Sequence, residues 1–186
     1  MDWQGHNYGH MHRRRSSFLD VDRILKSLDP VPDDVVIDVG SGDGMFSLKL
    51  ATIVKNVYPI DVNQEGHRVV QEAVTRDGHK NIHPIIADVC EGIPVSGFTS
   101  ALMVTSFHDF QCRDELLEDM KKKSSGKLKI AIAEFKKDAT EMGPPVSIRI
   151  SREELDKIFA RHGFKSVYYD EMGPLYINRY ELRSDT

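Results

Sequence analysis

The apolar positions of the chain switch repeatedly between continuous runs and helical spacing. Five continuous runs predict buried strands, at 35–39, 57–60, 82–87, 100–105 and 128–135. Before and between these runs, apolar residues recur every three or four positions, which predicts helices over 18–28, 43–54, 64–76 and 113–122. Strands that alternate with helices in this way are typical of an α/β sheet whose strands are mostly parallel.

The C-terminal part of the chain follows a different plan. Residues 151–154 have the capping-box pattern of a helix start, and Gly163 supplies the end of that helix. Two strand-like runs follow, at 165–169 and 175–182, with the turn pair Gly173-Pro174 between them. No crossover helix fits in this space, so the two runs predict an antiparallel hairpin. We expect a single domain over 1–186.

Composition and charge remove several classes of protein. The chain has 186 residues, is 40% hydrophobic and carries a net charge of −4, which argues against a nucleic-acid binder that works by charge alone. No apolar stretch approaches the roughly 20 residues of a membrane helix, so no span is expected. Two cysteines are too few for a disulfide framework, and the N-terminus lacks the apolar core of a secretory signal. We therefore expect a reducing cytoplasm, with both cysteines as small buried hydrophobes.

A glycine-rich turn follows the first predicted strand. In open α/β sheets ligands bind beyond the carboxyl ends of the strands, where residues 40–44 read Gly-Ser-Gly-Asp-Gly. A dinucleotide fingerprint in this register would need its third glycine at Met45, but the glycine stands at Gly44. A phosphate-binding P-loop is excluded, because no Gly-Lys-Ser/Thr follows the turn.

Three acids stand at the ends of three successive strands. Asp38 ends the first strand, Asp61 the second and Asp88 the third. Each has an ordinary structural alternative: Asp38 and Asp61 could cap the following helices, and Asp88 could be a solvated loop acid. The carboxyl ends of parallel strands share one edge, so together the three acids predict a binding rim.

The combined motif, Asp38-x-Gly-x-Gly-x-Gly44, then Asp61, then Ala87-Asp88, resembles the class I S-adenosylmethionine-dependent methyltransferases. It is most like their small single-domain, type 11-like members, and the resemblance covers about residues 33–182. It implies a Rossmann-like, seven-stranded, mostly parallel sheet with helices on both faces and a C-terminal antiparallel hairpin. It also implies S-adenosylmethionine as the cofactor.

The resemblance further implies which residues hold the cofactor. The glycine turn would lie under its methionine part and ribose, Asp61 would bind the ribose diol, and Val62, Asp88 and Val89 would surround the adenine. Asp38 would organise the amino end through the turn. The full implied set is Asp38, Gly40, Ser41, Gly42, Gly44, Asp61, Val62, Asp88, Val89 and Ser106.

The fourth strand ends in the sequence TSFHDF, at residues 105–110. Relatives that methylate bases or glutamine carry Asn-Pro-Pro-Tyr or Asp-Pro-Pro-Tyr there, so the departure favours a small-molecule acceptor. His108 is the predicted general base because its unperturbed pKa lies near neutrality, with Asp109 as its orienter or its alternative. A histidine that merely packs at a strand end is the structural alternative.

Further residues are predicted to face the acceptor. Phe107 belongs to this set, and the long connection over 134–145 is expected to form a substrate wall, with Glu134 or Phe135 nearest the methyl group. Residues 1–17 could fold over the site as a lid that brings Tyr8 and His10 to the substrate. The alternative is a frayed terminus.

No metal site is expected, because the spacing of the histidines at 6, 10 and 12 matches no standard zinc pattern. The lysine-rich stretch 121–129 suits a helix C-terminus away from the rim, so nucleic acid is not an expected partner.

The sequence thus favours methyl transfer from S-adenosylmethionine to a small molecule. The alternatives left open are a non-catalytic module that binds S-adenosylmethionine or S-adenosylhomocysteine, and a protein or RNA methyltransferase. A nicotinamide-cofactor enzyme is disfavoured by the position of Gly44 and by the closing hairpin. Neither the acceptor nor the oligomeric state follows from the sequence.

Overall fold

A computed structural model describes residues 19–138 and 142–182, and within these ranges seven strands form one sheet. The strands are β1 Val35–Val39, β2 Asn56–Asp61, β3 Ile85–Ile86, β4 Phe98–Val104, β5 Ser124–Phe135, β6 Phe164–Met172 and β7 Leu175–Leu182. Their order across the sheet is β3-β2-β1-β4-β5-β7-β6. The first five strands are parallel, whereas β7 runs antiparallel between β5 and β6. The predicted fold and its C-terminal hairpin are confirmed.

Helices cover both faces of this sheet. They are α1 Val21–Leu28, α2 Met45–Leu50, α3 Gln64–Asp77, α4 Arg113–Lys123 and α5 Arg152–Arg161. One core joins α1 and α2 to the sheet through residues such as Leu28 and Phe46, and a second joins α4 and α5 through Leu117 and Phe159. No helix in the described ranges combines the length and the apolar character that crossing a membrane would require.

The third predicted strand and the second predicted helix are shorter in the structure, for identifiable backbone reasons. The third strand shrinks to Ile85–Ile86 with an isolated bridge at Ile82, because Pro84 between them has no N–H to donate to a ladder. The helix predicted over 43–54 begins only at Met45, because Gly44 has a φ of +74° outside the helical region. It ends at Leu50, and turns follow.

The capping box at the start of α5 is confirmed. The Glu154 N–H donates to Ser151 Oγ at 3.3 Å, and the Ser151 N–H donates to Glu154 Oε2 at 2.7 Å. These reciprocal bonds satisfy two backbone donors that would otherwise lack partners at a helix start. They fix the position of a helix that forms one side of the candidate site.

The prediction of two independent buried cysteines is wrong, because Cys90 and Cys112 form a disulfide. The loop after β3 and the start of α4 meet at the carboxyl edge of the sheet, which brings the two Cα atoms to 5.5 Å. The number of cysteines alone could not reveal this contact, since 22 residues separate them. Structural disulfides are characteristic of oxidising surroundings, so the cysteine count no longer supports a reducing compartment.

Candidate active site

The turn after β1 has room for glycine but not for larger residues, because neighbouring elements pack directly onto its backbone. A Cβ added to Gly40 would lie 2.5 Å from the Cβ of Ser106, which follows β4. A Cβ on Gly44 would lie 2.6 Å from a methyl group of Val70 in α3. Both glycines have a φ of +74°, a conformation that other residues rarely adopt. The turn therefore lies in close contact with the segment after β4 on one side and with α3 on the other.

Alanine at Gly40 is expected to destabilise the fold more than alanine at Gly78. Both positions have a similar positive φ, +74° and +70°, but nothing lies within 4 Å of a Cβ added to Gly78. The shared left-handed conformation costs about 1–2 kcal/mol with a side chain present, and the contact at Gly40 adds about 1–3 kcal/mol of overpacking. Urea unfolding of both variants measures the difference. Equal losses would show that Ser106 moves aside freely.

Asp61 ties the end of β2 to the glycine turn. Its Oδ2 accepts from the Gly42 N–H at 2.8 Å, and its Oδ1 accepts from the Asn63 N–H at 2.9 Å. The cap of α3 is Asn63, which accepts from the N–H groups of Glu65 and Gly66, so the helix-cap alternative for Asp61 is wrong. An ionised carboxylate has about four acceptor positions, so both oxygens can still accept from ribose hydroxyls.

Asp38 is buried and contacts α2. Its Oδ2 accepts from Ser47 Oγ in α2 at 2.6 Å. The residue before α2 is Gly44, so Asp38 does not cap that helix. Within the turn, Ser41 is also buried, and its carbonyl accepts from the Gly44 N–H at 3.0 Å. Asp38 thus links the end of β1 to α2, and Ser41 stabilises the turn through its backbone.

A narrow cleft of about 60 Å³ lies at the ends of β1, β2 and β3. It brings together predicted cofactor residues that are distant in sequence, with Phe110 as an additional wall: Gly40, Asp61, Val62, Asp88, Val89 and Phe110. Val62 is 63% exposed, and Asp88 Oδ1 accepts from the Cys90 N–H at 2.9 Å.

The chemistry of this cleft fits a nucleoside. Apolar side chains can pack on a purine, and two carboxylates can accept from hydroxyl and amino groups. The cleft is smaller than the roughly 300–1,000 Å³ of typical ligand pockets, so its fit to a nucleoside lies in its chemical groups. The sequence signal for Phe110 was its place in the rim segment after β4.

His108 lies in a short 3-10 turn, Phe107–Asp109, directly after β4. Its imidazole Nδ1 lies 2.8 Å from Glu134 Oε2, and its backbone N–H donates to Glu134 Oε1 at 3.2 Å. Both side chains are buried, at 6% and 1% exposure. A carboxylate only accepts hydrogen bonds, so Glu134 holds the proton of a neutral imidazole on Nδ1 and leaves the lone pair on Nε2.

The partner of His108 differs from the one expected. Asp109 was predicted as the orienter, but its side chain is half exposed and its Oδ1 lies 3.6 Å from Nε2. Glu134, predicted to contact substrate, lies against Nδ1 instead. Burial pulls the pKa of His108 down, but the hydrogen bond and charge of Glu134, with the charge of Asp109, outweigh it and raise that pKa above its ordinary 6.5.

Glu134→Gln is expected to lower the pKa of His108. The substitution removes the charge that raises this pKa, while the burial that lowers it remains. In the wild-type protein the imidazole loses its proton as the pH rises through the raised pKa, which lies above 6.5. The neutral imidazole, which can act as a base, therefore predominates only at pH values above this pKa. In the variant the same transition moves to lower pH. Titration of the His108 ring by NMR measures both, and an unchanged midpoint would contradict the coupling.

Two aromatic residues predicted to face the acceptor are packed in the cores. Phe107 is fully buried and lies 5.8 Å from the ring of Phe159. Phe135 is buried in the core of α1 and α2, on the other face of the sheet from Glu134, as alternation along a strand requires. Its ring centroid lies 5.5 Å from the Arg149 guanidinium carbon.

Ser106 and its neighbour Thr105 hold the end of β4 in a fixed position at the rim. Ser106 Oγ donates to the Val39 carbonyl at 2.9 Å, which attaches the end of β4 to β1. Thr105 has a φ of +52°, which is uncommon for a residue with a side chain. Strained positions of this kind cluster at ligand sites, and here the strain lies at the rim itself.

A larger groove of about 540 Å³ opens beside His108. Its walls come from the start of α4, the connection after β5 and one side of α5, so the connection predicted as a substrate wall lies next to His108. Arg149 is buried and organises this connection by donating to the carbonyls of Lys136, Asp138, Met142 and Pro144. The segment 106–113 separates this groove from the narrow cleft, because His108 lines one and Phe110 the other.

Tyr8 and His10, and the histidines considered for a metal, lie outside the described residues. Across 19–138 and 142–182, no group of three or more histidine, cysteine or acidic side chains is arranged to hold a metal ion.

Comparison with known proteins identifies the family. The family model of a methyltransferase domain matches residues 37–128. Protein-L-isoaspartate O-methyltransferase 2 of Nitrosococcus oceani is 33% identical over 79 residues, which cover 42% of this chain and 36% of that protein. The match thus spans little more than a third of that relative's length.

Solved structures extend the comparison to nearly the whole fold. A SAM-dependent methyltransferase from Aquifex aeolicus superposes with a TM-score of 0.81 at 24% identity, covering 91% of this chain and 93% of its own. The N-methyltransferase NodS from Bradyrhizobium japonicum, in complex with S-adenosylhomocysteine, gives a TM-score of 0.72 at 14% identity, covering 88% and 86%.

The sheet order and the acidic rim define an α/β domain suited to a nucleoside cofactor. Residues 37–128 form a methyltransferase domain of the type 11 family, and the fold of the chain is that of S-adenosylmethionine-dependent methyltransferases. The family predicted from the sequence is confirmed, and S-adenosylmethionine is the cofactor that this family implies.

Proposed function

We propose that this enzyme transfers the methyl group of S-adenosylmethionine to a nucleophilic atom of a small-molecule acceptor, with His108 as general base. The observation that carries the proposal is the buried His108–Glu134 pair, 2.8 Å apart, on the wall of a groove adjacent to the cofactor rim. A bound acceptor proton would pass to Nε2, because Nδ1 is engaged by Glu134.

The remaining residues would bind and orient. S-adenosylmethionine supplies an electrophilic methyl group on its sulfonium, so the protein mainly has to align the attack and exclude water. Asp61 would hold the ribose hydroxyls, Val62 and Val89 would pack on the adenine, and Asp88 would accept from its edge. The turn from Gly40 to Gly44 would lie under the ribose and methionine, braced by Asp38 and Ser106.

We also propose that residues 1–186 form one domain and that residues 1–17 act as a lid carrying Tyr8 and His10. Support comes from the start of α1. Arg23 Nη2 lies 2.6 Å from Asp170 Oδ1 in β6, toward the end of that strand where β7 turns back. The start of α1 therefore lies toward the edge of the sheet that carries the rim.

One other function has support of its own. The curated relative is named as a protein methyltransferase, which favours a protein acceptor as the second candidate. A module that binds S-adenosylmethionine without chemistry would need the rim but not the buried pair at His108. An RNA acceptor has no comparable support.

Calorimetric titration with S-adenosylmethionine, S-adenosylhomocysteine and NAD, followed by transfer of a labelled methyl group to separated metabolite, protein and RNA fractions, tests the proposal. We expect binding of the first two compounds and label in the metabolite fraction. Label in protein alone would favour the second candidate, and cofactor binding with no label in any fraction would favour the module without chemistry.

A further inference from the structure

The groove beside His108 is strongly basic, although the whole chain carries a net charge of −4. Among residues 19–138 and 142–182, five cationic side chains and one carboxylate, that of Glu154, line it: the cations are Arg113, Lys137, Arg149, Lys157 and Arg161. Positive charge concentrated in a concave site attracts and holds anions more strongly than the same charge on a flat surface.

Two of these cations have no carboxylate partner in the described part of the chain. Arg113 donates to the carbonyls of Phe107 at 3.2 Å and His108 at 2.6 Å, so its guanidinium is held in place by uncharged groups. Lys157 is exposed, and its ammonium makes no ion pair within 4.0 Å among residues 19–138 and 142–182. Both charges are available to a ligand.

Two other cations are only partly neutralised. Lys137 Nζ lies 2.7 Å from Glu154 Oε1, and Arg161 Nη2 lies 3.0 Å from Asp114 Oδ1. These ion pairs are at the surface, where solvent screens them and each is worth at most about 1 kcal/mol. An incoming anion can therefore replace a carboxylate at small expense.

The groove also has an apolar side. Ile148, Ile150 and Ile158 line it, and Ile148 is 44% exposed. Its volume of about 540 Å³ lies within the roughly 300–1,000 Å³ of small-molecule sites. A nucleic-acid surface would instead present its cations along an open face.

We infer that the acceptor is a small molecule with an anionic group, carboxylate or phosphate, attached to an apolar or aromatic body. The anion would lie against Arg113 and Lys157, the body against the isoleucines, and the nucleophile toward His108 Nε2. This inference rests on the proposed methyl transfer, but it makes a separate claim about what the groove binds.

The test uses binding of defined probes to the full-length protein saturated with S-adenosylhomocysteine. The probes are benzoate, phenyl phosphate and the uncharged benzamide, and NMR shifts of the His108 ring report occupancy of the groove. We expect one or both anions to bind at least about tenfold more tightly than benzamide, and Lys157→Glu to weaken anion binding by about tenfold. Preference for benzoate or for phenyl phosphate identifies the group.

Lys165→Glu is the matched control, because Lys165 is exposed on β6 and does not line the groove. It should leave anion binding unchanged, and both variants should bind S-adenosylhomocysteine like the wild type. Equal binding of benzamide and benzoate, equal effects of the two variants, or binding of an RNA oligonucleotide in place of both anions would overturn the inference. Anion binding without any methyl transfer would instead reject the proposed function and leave the groove assignment intact.

Discussion

Alanine at Asp61 is expected to weaken S-adenosylmethionine binding by about 100-fold or more, because two hydrogen bonds to a charged acceptor contribute about 1.5–3 kcal/mol each. The carboxylate is positioned for this role by the N–H groups of Gly42 and Asn63. Its loss also releases the Gly42 N–H, so the glycine turn loses one of its supports. Calorimetric titration of the variant gives the change directly.

Asp33→Ala is the control for this prediction. Asp33 is exposed just before β1, at the opposite end of that strand from the rim. The control variant should bind the cofactor with wild-type affinity. Asp61→Ala with wild-type affinity would remove Asp61 from the cofactor site, and a large loss of thermal stability in Asp61→Ala would require the affinity to be measured at lower temperature.

Alanine at His108 is expected to slow methyl transfer by about 10²–10⁴-fold, the range typical of a lost general base. Cofactor affinity should stay unchanged, because the histidine lines the larger groove and not the narrow cleft. Single-turnover transfer of labelled methyl to an acceptor found in the fractionation measures the rate. Exogenous imidazole should restore part of it, since the deleted side chain leaves space beside Glu134.

His79→Ala serves as the comparison, because His79 lies in the turn after α3, away from the groove. Its rate should match the wild type. If His108→Ala transfers methyl at the wild-type rate, the acceptor attacks without help from a base at this position, and orientation alone drives the reaction.

The positions of the residues at the candidate cofactor rim could be predicted from the sequence because they depend on local order along the chain. A strand, a turn and a helix in succession fix where Gly40 to Gly44 must lie, and Asp61 and Asp88 follow neighbouring parallel strands. The same reasoning predicted the hairpin of β6 and β7, whose turn residues leave no room for a crossover. Each of these inferences used a relation that the backbone imposes.

The arrangement around His108 depends on contacts that no local pattern encodes. Glu134 meets His108 because β4 and β5 are neighbours and the side chain of Glu134 lies on the same face as the turn after β4. Phe135, one residue further, therefore lies on the other face. Cys90 and Cys112 meet for a similar reason, since separate connections reach the same edge. Such pairs require the register of the whole sheet.

The basic groove draws four of its five cations from residues after 128, where the match to the family model ends. The cofactor rim, in contrast, lies between Asp38 and Phe110, inside the matched region. In the proposed assignment, the residues that recognise the donor and those that recognise the acceptor thus lie in consecutive stretches of one chain. Substitutions in the later stretch would change which molecule is methylated while the donor site stays as it is. Relatives that share only the earlier stretch therefore point to the donor, and the acceptor has to be found by experiment.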